Sequence, residues 1–340
     1  MPQHFLRLRS TCLKIAVGCL LLPLSARAAE PLPALNIATS EITVSGLSSG
    51  AFMAVQLHVA YSKTFSKGAA AVAGGPYLCA ENSTFNALVR CRWLPAWVPT
   101  GKLVLRTRQL AAAGAIDGVE NLRASQVFLF SGQRDATVNT GVVDALALYY
   151  ASFVPVARIA YRKDVPAGHG MVSDQNGNRC DTSEPPYIVN CGVDLAGLLL
   201  QHLYGPLQAR SAGEPAPGNY LEFDQRPFAG GQGLAETGWA YIPAACRPGS
   251  AAPCRLHVAL HGCRQNTAAV QQGFVRGAGY NRWAERNAIV VLYPQTGAGA
   301  TNGCWDWWGY ESAQYATRRG PQMAAIKAMV DRLAGGAPAR

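Results

Sequence analysis

Gly46-Leu47-Ser48-Ser49-Gly50 places a serine between two glycines in the spacing G-x-S-x-G. A serine hydroxyl is a weak nucleophile until a base takes its proton, so acyl transfer at Ser48 requires a histidine and an acid to orient it. Asp135 closes the turn Ser131-Gly132-Gln133-Arg134-Asp135 and is the candidate acid, with Asp164 and Asp174 as rivals. His169 stands in Pro166-Ala167-Gly168-His169-Gly170, where the glycines are expected to leave room for an imidazole to reach the serine. His58 and His202 lie in apolar helical stretches and His257 inside a strand, so these three read as packed residues.

These groups act together only if regular elements hold them. Ile42 to Ser45 is a short β-branched run, and Gly50 to Tyr61 is apolar densely enough for a buried helix. A serine pentapeptide between a strand and a helix is a nucleophile elbow, the strained turn that raises Oγ above the sheet of an α/β-hydrolase. Ala69 to Ala73, Val127 to Phe130 and Ala157 to Tyr161 are further predicted strands, with a helix at Val142 to Tyr150. Leu256 to Leu260 and Ala288 to Tyr293 are strands of the second half, and apolar residues recur at helical spacing after Pro321 as far as Leu333. The alternation predicts an α/β fold with a mainly parallel sheet covered by helices on both faces. Ser48, Asp135 and His169 also follow the α/β-hydrolase chain order of nucleophile, acid, base.

An oxyanion needs two donors, usually the amide after the nucleophile, here Ser49, and one from a His-Gly loop after another strand. The matching loop, Leu260-His261-Gly262-Cys263, lies downstream of all three candidate residues, whereas in an ordinary member of the fold it precedes the nucleophile. Circular permutation removes the conflict. From His261 the chain runs through strand 288–293 and helix 321–333 to its end, and it begins just before the elbow strand. The original ends would be joined through the Gly/Pro-rich stretch 209–219, and residues near Leu35 and Leu333 should lie close together.

Ser45 to Ala54, Leu260 to Cys263, Leu-Tyr-Pro-Gln at 292–295 and Gly-Cys-Trp-Asp-Trp-Trp at 303–308 together resemble the single-domain poly(3-hydroxybutyrate) depolymerases over almost the whole chain after residue 28. The resemblance implies a circularly permuted α/β-hydrolase with the triad Ser48, Asp135 and His169 and no cofactor. It implies oxyanion amides at Ser49 and Cys263, and a tryptophan lining the substrate crevice. Trp307 is the choice, with Trp305 and Trp308 beside it; the competing reading buries all three as core. The expected activity is a serine esterase on poly(3-hydroxybutyrate) or a similar short-chain polyhydroxyalkanoate. A feruloyl or acetyl esterase of plant polysaccharide is the rival enzyme, and a polymer-binding protein with a dead site is disfavoured by the complete residue set.

The remaining features concern location and partners. Arg7, Arg9 and Lys14, an apolar run at 15–24 and Ala26-Arg27-Ala28 have the order of a secretory signal over residues 1–28. Cleavage before Cys19, as in a lipoprotein, would leave too short an apolar run. Residues 29–340 are then expected to form a single secreted catalytic domain, active as a monomer. Residues 1–28 hold four of the thirty basic side chains and none of the twenty acidic ones, so the remainder carries +6. That mild charge, without basic runs, argues against a nucleic-acid partner, and no later stretch reads as a membrane span. The charged fraction of 15%, below the roughly 25% of ordinary domains, suits a neutral polyester. Beyond residue 28 the cysteines are Cys79, Cys91, Cys180, Cys191, Cys246, Cys254, Cys263 and Cys304, an even set that reads as disulfides in an exported chain. No Cys-x-x-Cys or paired-His spacing suggests a metal. Pairs 79–91, 180–191 and 246–254 close the shortest loops, leaving Cys263 for Cys304.

Overall fold

In the computed structural model, which describes Met1 and residues 29–228 and 233–336, eleven strands and eight α-helices are present. The proposed signal segment lies outside the described residues apart from Met1. The strands are β1 (Ile37–Leu47), β2 (Gly68–Val72), β3 (Gln126–Phe130), β4 (Ile159–Arg162), β5 (Met171–Ser173), β6 (Asn178–Arg179), β7 (Ile188–Asn190), β8 (Tyr220–Asp224), β9 (Thr237–Tyr241), β10 (Cys254–Leu260) and β11 (Ile289–Tyr293). The helices are α1 (Ser49–Ala60), α2 (Thr100–Ala112), α3 (Thr140–Ala151), α4 (Leu195–Tyr204), α5 (Thr267–Val270), α6 (Gly273–Gly277), α7 (Tyr280–Asn287) and α8 (Pro321–Leu333).

Eight strands form one sheet in the order β4-β3-β2-β1-β10-β11-β9-β8, parallel throughout except at β11–β9 and β9–β8. The elbow strand β1 is central, with β2 and β10 paired in parallel on either side of its C-terminal half. Strand alternation sends Thr43 and Ser45 to the face carrying α4 and α7, where they bond Tyr204 at 2.6 Å and Tyr280 at 2.8 Å. Helix α1 packs against β1, β2 and β10 and against α8. All twelve residues of α1 are buried, which explains an apolar run without helical alternation.

The sheet is that of an α/β-hydrolase whose chain starts at the elbow strand. The amide of Leu35 donates to the carbonyl of Leu333 at 2.8 Å, so the two proposed new ends meet. The segment after α4 leads into β8, the edge strand where an unpermuted chain would begin. Six elements lacked a clear signal. Strand β8 is a short, half-buried edge strand, β9 beside it is equally short, α2 buries only Leu103 and Thr107, and the small sheet β5-β7-β6 has strands of two or three residues. The predicted strand at Ala157 starts two residues later, after a 3-10 turn at Val156–Arg158. No helix among the described residues is long and apolar enough to cross a membrane.

Candidate active site

Ser48 sits between β1 and α1 with φ 56° and ψ −120°, a backbone region that costs a non-glycine residue of order 1–3 kcal/mol. The two glycines are required by close approach. A Cβ on Gly50 would lie 2.4 Å from the carbonyl oxygens of Leu260 and His261, and one on Gly46 would lie 2.2 Å from the carbonyl of Gly50. The elbow therefore fits only where α1 starts directly against the end of β10.

Asp135 follows β3, and its carboxylate is fully engaged. Oδ1 accepts from the amides of Thr137 at 2.8 Å and Val138 at 2.9 Å, while Oδ2 faces Nδ1 of His169 at 2.8 Å. That contact orients the imidazole with Nε2 left for other work. The rivals are placed elsewhere: Asp164 is exposed and pairs with Arg162, and Asp174 pairs with Arg210. The loop of His169 is pinned by Ser183 Oγ, which accepts from its amide at 2.9 Å. The flanking glycines do not serve the imidazole, contrary to the sequence-based reading. They admit the backbone of the returning segment, since a Cβ on Gly168 would lie 2.2 Å from the carbonyl of Thr182 and one on Gly170 3.0 Å from that of Tyr187.

His58, His257 and His202 are packed as anticipated. His257 bridges Thr43 and Ser45 at 2.7 Å each, His58 bonds the Tyr150 hydroxyl at 3.0 Å, and His202 bonds the carbonyl of Arg158 at 3.1 Å. Burial lowers both His58 and His257 to about 3, so they stay neutral.

The His-Gly loop faces the elbow. His261 is buried, with Nδ1 donating to the carbonyl of Gly262 at 2.7 Å and Nε2 accepting from the amide of Thr296 at 3.3 Å. Desolvation lowers its pKa to about 4, so the ring is neutral at neutral pH, and its two hydrogen bonds hold the loop shape. The amide of Gly262 is taken by Gln265, whereas among the described residues those of Ser49 and Cys263 donate to no protein acceptor. Both residues line the cleft that contains Ser48 and His169.

That cleft encloses about 500 Å³. Trp307 and Trp308 line it, and Trp307 stacks on Phe52 with ring centroids 3.9 Å apart. Trp305 does not reach it. It is fully buried beneath the loop, and its Nε1 donates to the carbonyl of His261 at 3.0 Å, so its part is to position the loop. Sequence reading missed Phe52, hidden in an all-apolar helix, and Asp306, whose carboxylate accepts four amides from Gly309 to Ser312 and shapes the turn of the tryptophans. All four disulfides pair as spacing suggested, and Cys263–Cys304 ties the His-Gly loop to that turn. A wider depression of about 750 Å³ at Lys63, Arg123 and Arg158 lies apart from these groups and is open to solvent. Among the described residues no cluster of His, Cys, Asp and Glu could hold a metal ion.

The chain is 59% identical over 312 residues to the poly(3-hydroxybutyrate) depolymerase of Delftia acidovorans, covering 92% of this chain and 63% of that one. It is 37% identical over 325 residues to the polyhydroxybutyrate depolymerase of Talaromyces funiculosus, covering 91% of this chain and 94% of the relative. The chain belongs to the polyhydroxybutyrate depolymerase family. The sequence model described as Esterase PHB depolymerase matches residues 241–336, the part with the His-Gly loop and the tryptophans but without Ser48, Asp135 and His169. Two solved depolymerase structures superpose closely. One is a serine-to-alanine variant complexed with an R3HB trimer, with TM-score 0.85, 35% identity, and 90% of this chain and 99% of that chain covered. The other, the depolymerase from Penicillium funiculosum, has TM-score 0.84 at the same identity and coverage.

Proposed function

We propose that the chain is a secreted serine esterase that hydrolyses poly(3-hydroxybutyrate) or a similar short-chain polyhydroxyalkanoate. The observation that carries this reading is one cleft shared by an elbow serine, an aspartate-bound histidine and two amides without protein acceptors. His169 takes the proton of Ser48, whose Oγ attacks the ester carbonyl. The amides of Ser49 and Cys263 stabilise the oxyanion, a donor of this kind being worth roughly 3 kcal/mol. Collapse of the intermediate breaks the ester C–O bond, and the alcohol half leaves with the proton from His169. Water, deprotonated by His169, then releases the acyl half and restores Ser48.

Substrate class follows from the walls. Trp307, Trp308 and Phe52 offer flat apolar surface to a methyl-bearing chain, and Phe85, Trp93 and Trp97 are exposed on the segment that enters the cleft wall at Leu88. The relatives' names favour polyester over a plant feruloyl ester. Four disulfides suit an oxidising compartment, consistent with export by residues 1–28 and a single domain at 29–340 that works as a monomer. The test offers the purified protein amorphous and crystalline polyhydroxybutyrate, p-nitrophenyl butyrate and a feruloyl ester, and identifies the soluble products. Release of 3-hydroxybutyrate units is expected; faster turnover of the feruloyl ester than of every 3-hydroxybutyrate substrate would overturn the assignment.

A further inference from the structure

Two arginines line the cleft, and among the described residues no carboxylate does. Among the described residues that line it, Arg92 and Arg264 carry the fixed charges. Neither takes part in an ion pair among the described residues. The two differ in how they are held. Arg264 is exposed on the His-Gly loop. Arg92 is half-buried and doubly anchored: its carbonyl accepts from the amide of Asn139 at 2.7 Å, and its Nε donates to the carbonyl of Thr137 at 3.2 Å. Both anchors belong to the loop that carries Asp135.

The remaining donors of Arg92 have no protein acceptor among the described residues. Asp135 accepts from His169, Thr137 and Val138, and no nitrogen of Arg92 bonds it. Burial disfavours the guanidinium's charge, and the Asp135 carboxylate offsets this in part. The guanidinium lies over the Trp93 ring at 4.9 Å, and a partly desolvated, positioned cation that makes no direct ion pair among the described residues suits a ligand that brings a carboxylate.

A neutral polyester interior has no such group, but a chain end does. In a 3-hydroxyacid oligomer the free carboxylate is carried by the alcohol half of every ester bond, the half that leaves first. We propose that Arg92 binds the free carboxylate of 3-hydroxyacid oligomers, making the cleft selective for chains that end in an acid. This rests on the reading of the cleft as a polyester-hydrolysing site. Attack by Ser48 then breaks the ester nearest the bound end, and the departing alcohol is a short hydroxy acid that keeps its carboxylate on Arg92 and takes its new hydroxyl proton from His169.

The experiment compares the 3-hydroxybutyrate trimer as free acid and as methyl ester, with kcat/KM of each measured for the same protein. Wild type should favour the free acid by about tenfold, the size expected of a charge-assisted guanidinium–carboxylate contact. Arg92→Gln should bring the acid-to-ester ratio to about one, Arg92→Lys should retain part of it, and raised salt should reduce it in wild type. Because each ratio is taken within one variant, a general loss of activity cancels. A wild-type ratio of one, a ratio unchanged in Arg92→Gln, or its loss in Arg264→Gln alone would overturn the proposal while leaving polyester hydrolysis intact. If neither trimer is cleaved and p-nitrophenyl butyrate is, the substrate reading falls and this inference with it.

Discussion

Ser48 is held by its immediate neighbours and by the sheet, whereas Cys263, which faces it across the cleft, is held by a few ties to distant residues. At the elbow, Gly46 and Gly50 allow backbone to touch backbone, and the amide of Ser48 donates to Val72 of the adjoining strand at 2.9 Å. At the His-Gly loop the ties are discrete: Trp305 to the His261 carbonyl, Arg264 amide to the Asn302 carbonyl at 3.1 Å, Gln265 Nε2 to the Pro186 carbonyl at 2.8 Å, and the disulfide to Cys304. One half of the proposed site is a consequence of sheet geometry. The other half is assembled from separable contacts, each of which can be removed.

Chemistry on the elbow side should be the most sensitive. Ser48→Ala, His169→Ala and Asp135→Asn are each expected to lower kcat on a soluble ester by about 10⁴ or more with the fold retained, and not to add in combination. Near-normal turnover by Asp135→Asn together with an inactive Asp164→Asn would remove Asp135 from the proposed triad. Next in size is the steric test of the elbow itself. Gly50→Ala drives a methyl to 2.4 Å from two carbonyl oxygens of the β10 end, which should lower stability by about 3 kcal/mol in urea unfolding. An unchanged midpoint would mean that the elbow is not the rigid partner in this comparison.

The loop should respond more gently and as a unit. Its disulfide spans 41 residues, a closure worth roughly 4 kcal/mol in the chain-entropy model. Cys263→Ser and Cys304→Ser should each lower kcat about tenfold, a fraction of what a whole oxyanion donor supplies, and the double variant little further. Intact turnover in Cys304→Ser beside an inactive Cys263→Ser would show that the thiol position, not the tie, matters.

The last expected effect is on pH dependence, and it touches both regions. His58 and His257, in the scaffold of the elbow, have pKa values near 3, and His261 in the loop near 4, all depressed by burial. The unfolded chain takes up these protons from about pH 6.5 downward and the folded chain does not. The stability present above about pH 6.5 is therefore lost progressively as pH falls toward 4 and 3, with at most about 1.4 kcal/mol per pH unit from each group. Urea midpoints that stay level from pH 7 to pH 5 would contradict the neutral, buried state of these imidazoles.

The sequence alone determined the nucleophile turn, the acid and base candidates, the permuted order and the disulfide pairs, because each is written in short-range spacing or in the order of long apolar elements. Ser48 needs glycines two residues away on either side, and that requirement is local. Other features were decided only by tertiary structure. Nothing in Gly-Cys-Trp-Asp-Trp-Trp distinguishes Trp305, buried under the His261 carbonyl, from Trp307, which lines the cleft, because the difference lies in which face of one turn meets the sheet. The glycines around His169 were legible as special but not for the right reason, since the backbone they admit comes from residues 182 and 187. Arg92 carried no signal at all. Its place beside the proposed acid follows from hydrogen bonds to Thr137 and Asn139, more than forty positions away. Contacts between distant segments depend on how the whole sheet packs, and no spacing along the chain encodes them.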